Sequence, residues 1–209
     1  MKEVLSIDVA LKEIMQKEHK FDEALDVAVH FVSTDSVKGS CVFNHSFDFG
    51  RILVFSGDTA ALHSFGDKVS CGGEELMESI KSKKSLVRGH KYSVSTPAMM
   101  PKLSRVARIL GPRGLMPDSK YGLVTDSVVD AVSSLLSGKS IFKSNKAGVL
   151  HCKVGKLSMG FDKLRDNFQV FCESVFSIKP KSVSLSNYIN SISLSSTMGS
   201  GYFIDFSAL

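Results

Sequence analysis

Apolar positions at the start of the chain follow a helical spacing. Ile7, Leu11 and Ile14 or Met15 share one face, which predicts a helix over 7–18. The segment KFDE breaks it, and the spacing then shortens. Leu25, Val27, Val29 and Phe31 alternate with other residues, the two-residue period of a strand with one buried face. VKGSCVF predicts a second strand.

Past residue 47 the pattern changes. RILVFS is short and nearly all apolar, as a strand covered on both faces is. GDTAALHSFG predicts a short helix between Asp58 as cap and Gly66 as stop. KVSCGGEELMESIKS gives a very short strand, a glycine turn and a helix; YSVST gives another strand. PAMMPKLSRVARIL is helical, with proline at its first position, where no N–H is needed. TDSVVDAVSSLLSG is a further capped helix. Strand and helix in alternation predict an α/β layer with a largely parallel sheet.

From about residue 140 the strand-rich pattern returns. SIFKS and GVLHCKVGK are strands around the turn NKAG. Phe161, Leu164, Phe168, Phe171 and Val175 then repeat at three and four residues, a long amphipathic helix stopped by Lys179-Pro180. NYINSISLSSTMG and GYFIDF close the chain as strands. The expected architecture is therefore an α+β two-domain protein. Residues 1–47 and 140–209 form a discontinuous, split α+β domain, and 48–139 form an inserted α/β domain. The two crossings, near 47 and 140, act as a paired hinge in this reading.

Composition sets limits on function. The 209 residues can bury one large core or two small ones, and 43% hydrophobic content is ordinary for a globular protein. No apolar run reaches membrane-spanning length, so no membrane partner is expected. The first 18 residues alternate acids and bases and predict no secretory leader. Cys41, Cys71, Cys152 and Cys172 have no metal-ligand spacing and are expected to be buried, reduced thiols.

Charge is unevenly distributed. Net charge is +5, but residues 1–80 hold seven Lys/Arg against 14 acids, while 81–120 hold ten against one. Residues 139–156 add five bases and no acid. One basic run alone is compatible with a solvated face. Two blocks separated by 18 residues favour a polyanionic partner, a nucleic acid above all.

The last long strand carries a row of hydroxyls. Ile192 and Leu194 point one way, and Ser191, Ser193, Ser195 and Thr197 the other. This is either an exposed sheet face or a shallow polar surface suited to RNA 2′-hydroxyls and phosphates. Met198 and Phe21 would supply apolar contact to such a surface, although the ordinary place for a lone Phe after a helix is a core. Catalytic patterns are missing. There is no GxxxxGK[ST], no GxGxxG, no HExxH and no nucleophile elbow. No enzyme activity, cofactor or metal is expected; a phosphate-handling enzyme built on GPRGLMP is the weakest alternative.

One stretch carries a family resemblance. TPAMMPKLSRVARILGPRGLMPDSKYGLVT (96–125) resembles the signature region of the large-subunit ribosomal protein L-one family. KFDEALDVAVHF, VKGS, GGEELMESI, SGKSIFKSNKAGVLHCKVGK and SSTMG continue the likeness, in order, over most of the chain. The resemblance implies that the terminal domain binds large-subunit rRNA and that the insert is a three-layer, Rossmann-like domain without a nucleotide site. It implies a mobile stalk that accompanies deacylated tRNA from the exit site, and repression of the protein's own operon through its mRNA leader. It implies a protein that is monomeric when free and works on cytoplasmic ribosomes, with an organellar ribosome left open. A free mRNA-binding regulator without a ribosomal role is the main alternative.

Carried over residue by residue, the family's rRNA contacts fall on Lys20, Phe21 and Glu23, on Ser191, and on Thr197, Met198 and Gly199. Lys38, Lys146, Arg108 and Arg113 are candidates for secondary nucleic-acid contacts. The chain departs from the family pattern in several places. The segment between HFV and VKGS is short, Ala24 stands where threonine is usual, and HCKVGK replaces the commoner HAPxGK. The acidic first 80 residues imply fewer peripheral phosphate contacts than a typical member makes.

Overall fold

The computed structural model describes residues 4–16, 20–33, 36–47, 50–57, 65–180 and 183–205. The chain is a mixed α/β protein that divides into two compact units, Met1–Phe47 with Gly138–Leu209, and Asp48–Ser137. The helix expected within 57–66 lies mostly outside the described residues.

The first unit is built on a five-stranded sheet. Its strands are β1 (Val4–Leu5), β2 (Ala24–Phe31), β8 (Val149–Lys156), β9 (Ile189–Ser196) and β10 (Gly201–Ile204), in the order β1-β10-β9-β2-β8. β1 runs parallel to β10 and the other pairs are antiparallel. The alternation in the sequence puts Leu25, Val27, Val29, Leu150, Val154, Ile192 and Leu194 on one buried face. Helices α1 (Ile7–Met15) and α6 (Phe161–Ile178) cover that face. They do so with Ala10, Leu11 and Ile14 from α1, and with Leu164, Phe168, Phe171 and Val175 from α6. The three-and-four spacing of α6 is what lines these side chains up.

Two strands stand apart as a ribbon, β3 (Lys38–Val42) and β7 (Lys139–Lys143). Phe142 anchors it, its ring 5.6 Å from Phe171 at 73°. Gly138 belongs to this unit because its carbonyl accepts from Phe43 N at 3.1 Å. It has φ +132°, and a Cβ there would lie 2.8 Å from Phe43 O. Gly138→Ala is therefore expected to cost about 1–3 kcal/mol, the range for a non-glycine residue held in a disfavoured backbone region. Urea denaturation followed by circular dichroism measures it.

Cys41, Cys152 and Cys172 are buried and Cys71 is half-buried. A hydrogen bond to Cys152, and burial, push the Cys41 thiol up; burial alone does most of the same for Cys172. Both thiols stay protonated and poorly nucleophilic at neutral pH.

The second unit holds the parallel sheet β5-β4-β6, from β4 (Arg51–Phe55), β5 (Val69–Gly72) and β6 (His90–Ser95). Ile52 through Phe55 are all at most 1% exposed, as the apolar run of a central parallel strand requires. Helix α2 (Glu74–Ser82) makes the crossover from β5 to β6. Leu53 and Phe55 meet Met77 and Ile80 of α2 and Met99, Leu103, Val106 and Leu110 of the segment after β6.

That segment was expected as one helix. It is instead a run of helical turns, alternately three-residue and α-type: 97–99, α3 (Met100–Leu103), 104–106, α4 (Ala107–Leu110) and 111–113. Pro101 and Pro112 remove N–H donors that a regular α-helix would use, and Ser104 Oγ donates back to Pro101 O at 2.7 Å. Buried Leu103, Val106 and Leu110 leave Lys102, Arg105 and Arg108 outside. GPRGLMP then turns the chain so that Leu115 enters the core, its N–H on Leu110 O at 3.1 Å and its carbonyl accepting from Ser93 Oγ. The glycine-proline stretch shapes this turn; it does not frame a phosphate loop. α5 (Val128–Ser137) follows and meets β6.

Candidate nucleic-acid interface

β2 is the centre of the candidate site. It runs antiparallel to both of its neighbours, so its first residues meet the last residues of β8 and of β9. Three segments far apart in sequence thus converge at one end of the sheet: 20–24, 156–159 and 196–199.

Thr197 lies just beyond β9. Its Oγ1 accepts from Ala24 N at 3.1 Å and donates to Ala24 O at 3.5 Å. Met198 N donates to Glu23 Oε2 at 3.3 Å. Gly199 N donates to Ser196 O at 3.3 Å and closes the turn. A Cβ on Gly199 would lie 2.3 Å from Ser196 Oγ, so a side chain here would require that hydroxyl to swing away. These bonds lash the turn to the start of β2 and leave two apolar groups in solvent. Met198 is 68% exposed and Phe21 is 53% exposed. The lone phenylalanine after the first helix is thus not core, and Lys20 beside it is exposed.

Glu23, expected among the contacts, is 2% exposed, with its carboxylate beneath Met198. Its backbone carbonyl accepts from Leu157 N at 2.9 Å. Glu23 thus supports the turn at Met198 from below. Thr197 is exposed, yet its hydroxyl is committed to Ala24. Its loss would loosen the start of β2 as well as any contact.

The hydroxyl row lies on the outer face of the same sheet. Ser191, Ser193 and Ser195 are half-buried and stand opposite His30, Ala28 and Asp26 of β2. On the far side of β2, His151 pairs with Ala28 and Lys153 with Asp26. Ser193 Oγ leans on Ala28 O at 3.5 Å. His30, His151 and Lys153 were not singled out in the sequence. The alternation of His151 and Lys153 with buried Leu150, Cys152 and Val154 was the available signal.

On the other side of Ala24, the turn after β8 contributes Ser158. Its N–H and Oγ donate to Asp22 Oδ1 at 3.2 Å and Oδ2 at 2.9 Å. Lys156 Nζ lies 3.5 Å from the same Oδ2. Desolvation raises the Asp22 carboxyl, but the Ser158 hydrogen bonds and the Lys156 charge together outweigh it and hold the group below its ordinary value. Asp22 is ionised at neutral pH.

The secondary candidates are spread over both units. Lys38 is the register partner of Lys143 on the ribbon, and Val42 that of Lys139, so three lysines share one ribbon face. Lys146 is exposed in the turn 145–148, which Asn145 Oδ1 braces from Ala147 N at 3.0 Å and Val149 N at 2.9 Å. In the second unit Arg108 is exposed, and Arg113 donates through Nη1 to Lys84 O at 2.7 Å. Lys102 is paired with Glu74. Among the described residues no group of three or more His, Cys, Asp or Glu could hold a metal ion, and no helix is long and apolar enough to cross a membrane.

The profile of the ribosomal protein L1p/L10e family matches residues 11–200, and the chain belongs to that family. Members of the family are structural proteins and not enzymes. Among curated relatives, the large ribosomal subunit protein uL1 of Neorickettsia sennetsu is 60% identical over 209 residues, covering 100% of both chains. The protein of that name from Solidesulfovibrio magneticus is 38% identical over 195 residues, 89% of this chain and 80% of its own. That of Maridesulfovibrio salexigens is 34% identical over 209 residues, 96% of this chain and 88% of its own.

Proposed function

We propose that the protein is a structural component of the large ribosomal subunit and binds large-subunit rRNA through the surface formed by Lys20, Phe21 and Thr197–Gly199. One observation carries the reading. Phe21 and Met198 are large, apolar and more than half exposed, yet hydrogen bonds from backbone N–H groups to the Thr197 and Glu23 side chains hold their segments together. Exposed apolar groups on a rigid frame, next to a polar sheet face, suit unstacked bases and sugar hydroxyls. Ser191 and its neighbours supply the polar part, and the names of the relatives supply the ribosomal setting.

In this reading the protein and its rRNA form a mobile stalk that assists release of deacylated tRNA from the exit site. The ribbon lysines 38, 139 and 143, with Lys146, form a second polyanion-binding face on the first unit. Arg108 and Arg113 are a separate basic surface on the second. The same Phe21–Met198 surface binds a similar stem-loop in the leader of the protein's own mRNA and represses its translation. The free protein is monomeric and cytoplasmic.

A salt titration tests the central claim. The protein is mixed with a transcript of the large-subunit rRNA stem-loop, and log K is followed against log salt. Each phosphate contact contributes about 0.7–0.9 to the slope, so several contacts should give a slope of several units. No binding at low salt would remove the reading.

A further inference from the structure

The turn after β8 gives the interface a second wall, on the side of β2 opposite Thr197. Lys156 is the register partner of Ala24, and Thr197 bonds the Ala24 backbone from the β9 side. The start of β2 is thus bracketed by an exposed hydroxyl residue and by a lysine. The base of that lysine is fixed, because the next residue's N–H is held by Glu23 O at 2.9 Å.

The ammonium is not needed to build the turn. Ser158 already engages both oxygens of Asp22, through N–H and through Oγ. The Lys156–Asp22 pair comes in addition at 3.5 Å and is partly exposed, with side chains 34% and 36% accessible. Exposed ion pairs are weak and readily exchanged. Phosphates are where lysine ammonium groups go at an RNA surface. A carboxylate left at such a surface repels the RNA backbone unless its charge is already engaged.

Resting on the RNA-binding reading above, we propose that Lys156 is a phosphate contact of this interface and that Asp22 is its counter-ion in the free protein. On binding, a backbone phosphate takes the ammonium and Asp22 keeps its two bonds to Ser158. Asp22 therefore acts through Lys156, as a competitor for its charge.

The test uses the full chain and the same rRNA stem-loop transcript. Unaltered protein, Lys156→Gln, Lys156→Met, Asp22→Asn and Asp22→Asn with Lys156→Gln are titrated over a salt series, with melting temperatures recorded in parallel. Both Lys156 variants should lose about 0.7–0.9 from the salt slope, one phosphate contact, with little change in melting temperature. Asp22→Asn should bind several-fold more tightly, and that gain should vanish when Lys156 is also replaced. An unchanged slope in both Lys156 variants, while the unaltered protein binds, overturns this inference alone. A gain from Asp22→Asn that survives loss of Lys156 overturns the counter-ion role. Failure of the unaltered protein to bind removes the RNA-binding reading, and this one with it.

Discussion

Phe21→Ala is expected to weaken binding to the rRNA stem-loop by roughly 5- to 150-fold while the protein stays as stable as before. The estimate follows from base-on-aromatic stacking, worth about 1–3 kcal/mol per base, at about 1.4 kcal/mol per factor of ten. Stability should hold because the ring is 53% exposed, and exposed substitutions usually stay within about 0.5 kcal/mol. Met198→Ala should behave in the same way with a smaller loss, since the thioether offers polarizable contact but no ring. Thr197→Val is the useful contrast: its hydroxyl holds Ala24, so it should lose stability and binding together. Anisotropy titrations beside melting curves separate the cases. If Phe21→Ala destabilised the fold and bound normally, Phe21 would be a packing residue and the interface would lie elsewhere.

Phe168→Ala should have the largest effect on stability, about 3–5 kcal/mol. The side chain is fully buried in the middle of α6, on the stripe that faces the five-stranded sheet. Removing it leaves a cavity between helix and sheet that their backbones cannot close. Against a total of roughly 5–15 kcal/mol for a typical protein, the loss would leave the first unit marginal near its growth temperature. The midpoint of urea denaturation reads this directly. RNA binding should survive where the variant is folded, because Phe168 touches no part of the exposed surface. A loss below about 1 kcal/mol would mean that α6 is not the lid of this core.

These two residues also mark what sequence alone could give. Phe168 was legible: it belongs to a three-and-four repeat, which needs only neighbours on the same helix. β2 and β8 were legible for the same reason, through alternation. Phe21 was not, because one aromatic between two elements has no period, and its exposure is set by bonds to residues far away. The burial of Glu23 was equally hidden, because the turn at Met198 that covers it lies 175 residues away. Ser158 and Asp22 meet across a separation of 136 residues, beyond any local pattern. β1, two residues long, was missed because a pair of residues carries no alternation. The turns at 97–110 were read as one helix because the apolar spacing fits either geometry; Pro101, within that stretch, favours the broken form.

The order of the five strands also governs when the molecule can be complete. β2, near the start of the chain, lies between β8 and β9, and the bond from Ala24 to Thr197 spans 173 residues. During synthesis β2 therefore has no partner for one edge until residues 149–156 have been made, and none for the other until residues 189–196 have. The bonds that tie the Phe21 segment to Thr197 and Met198 form only after those residues have been made. A chain cut after Ile192 lacks Thr197 and Met198, and with them both of these bonds.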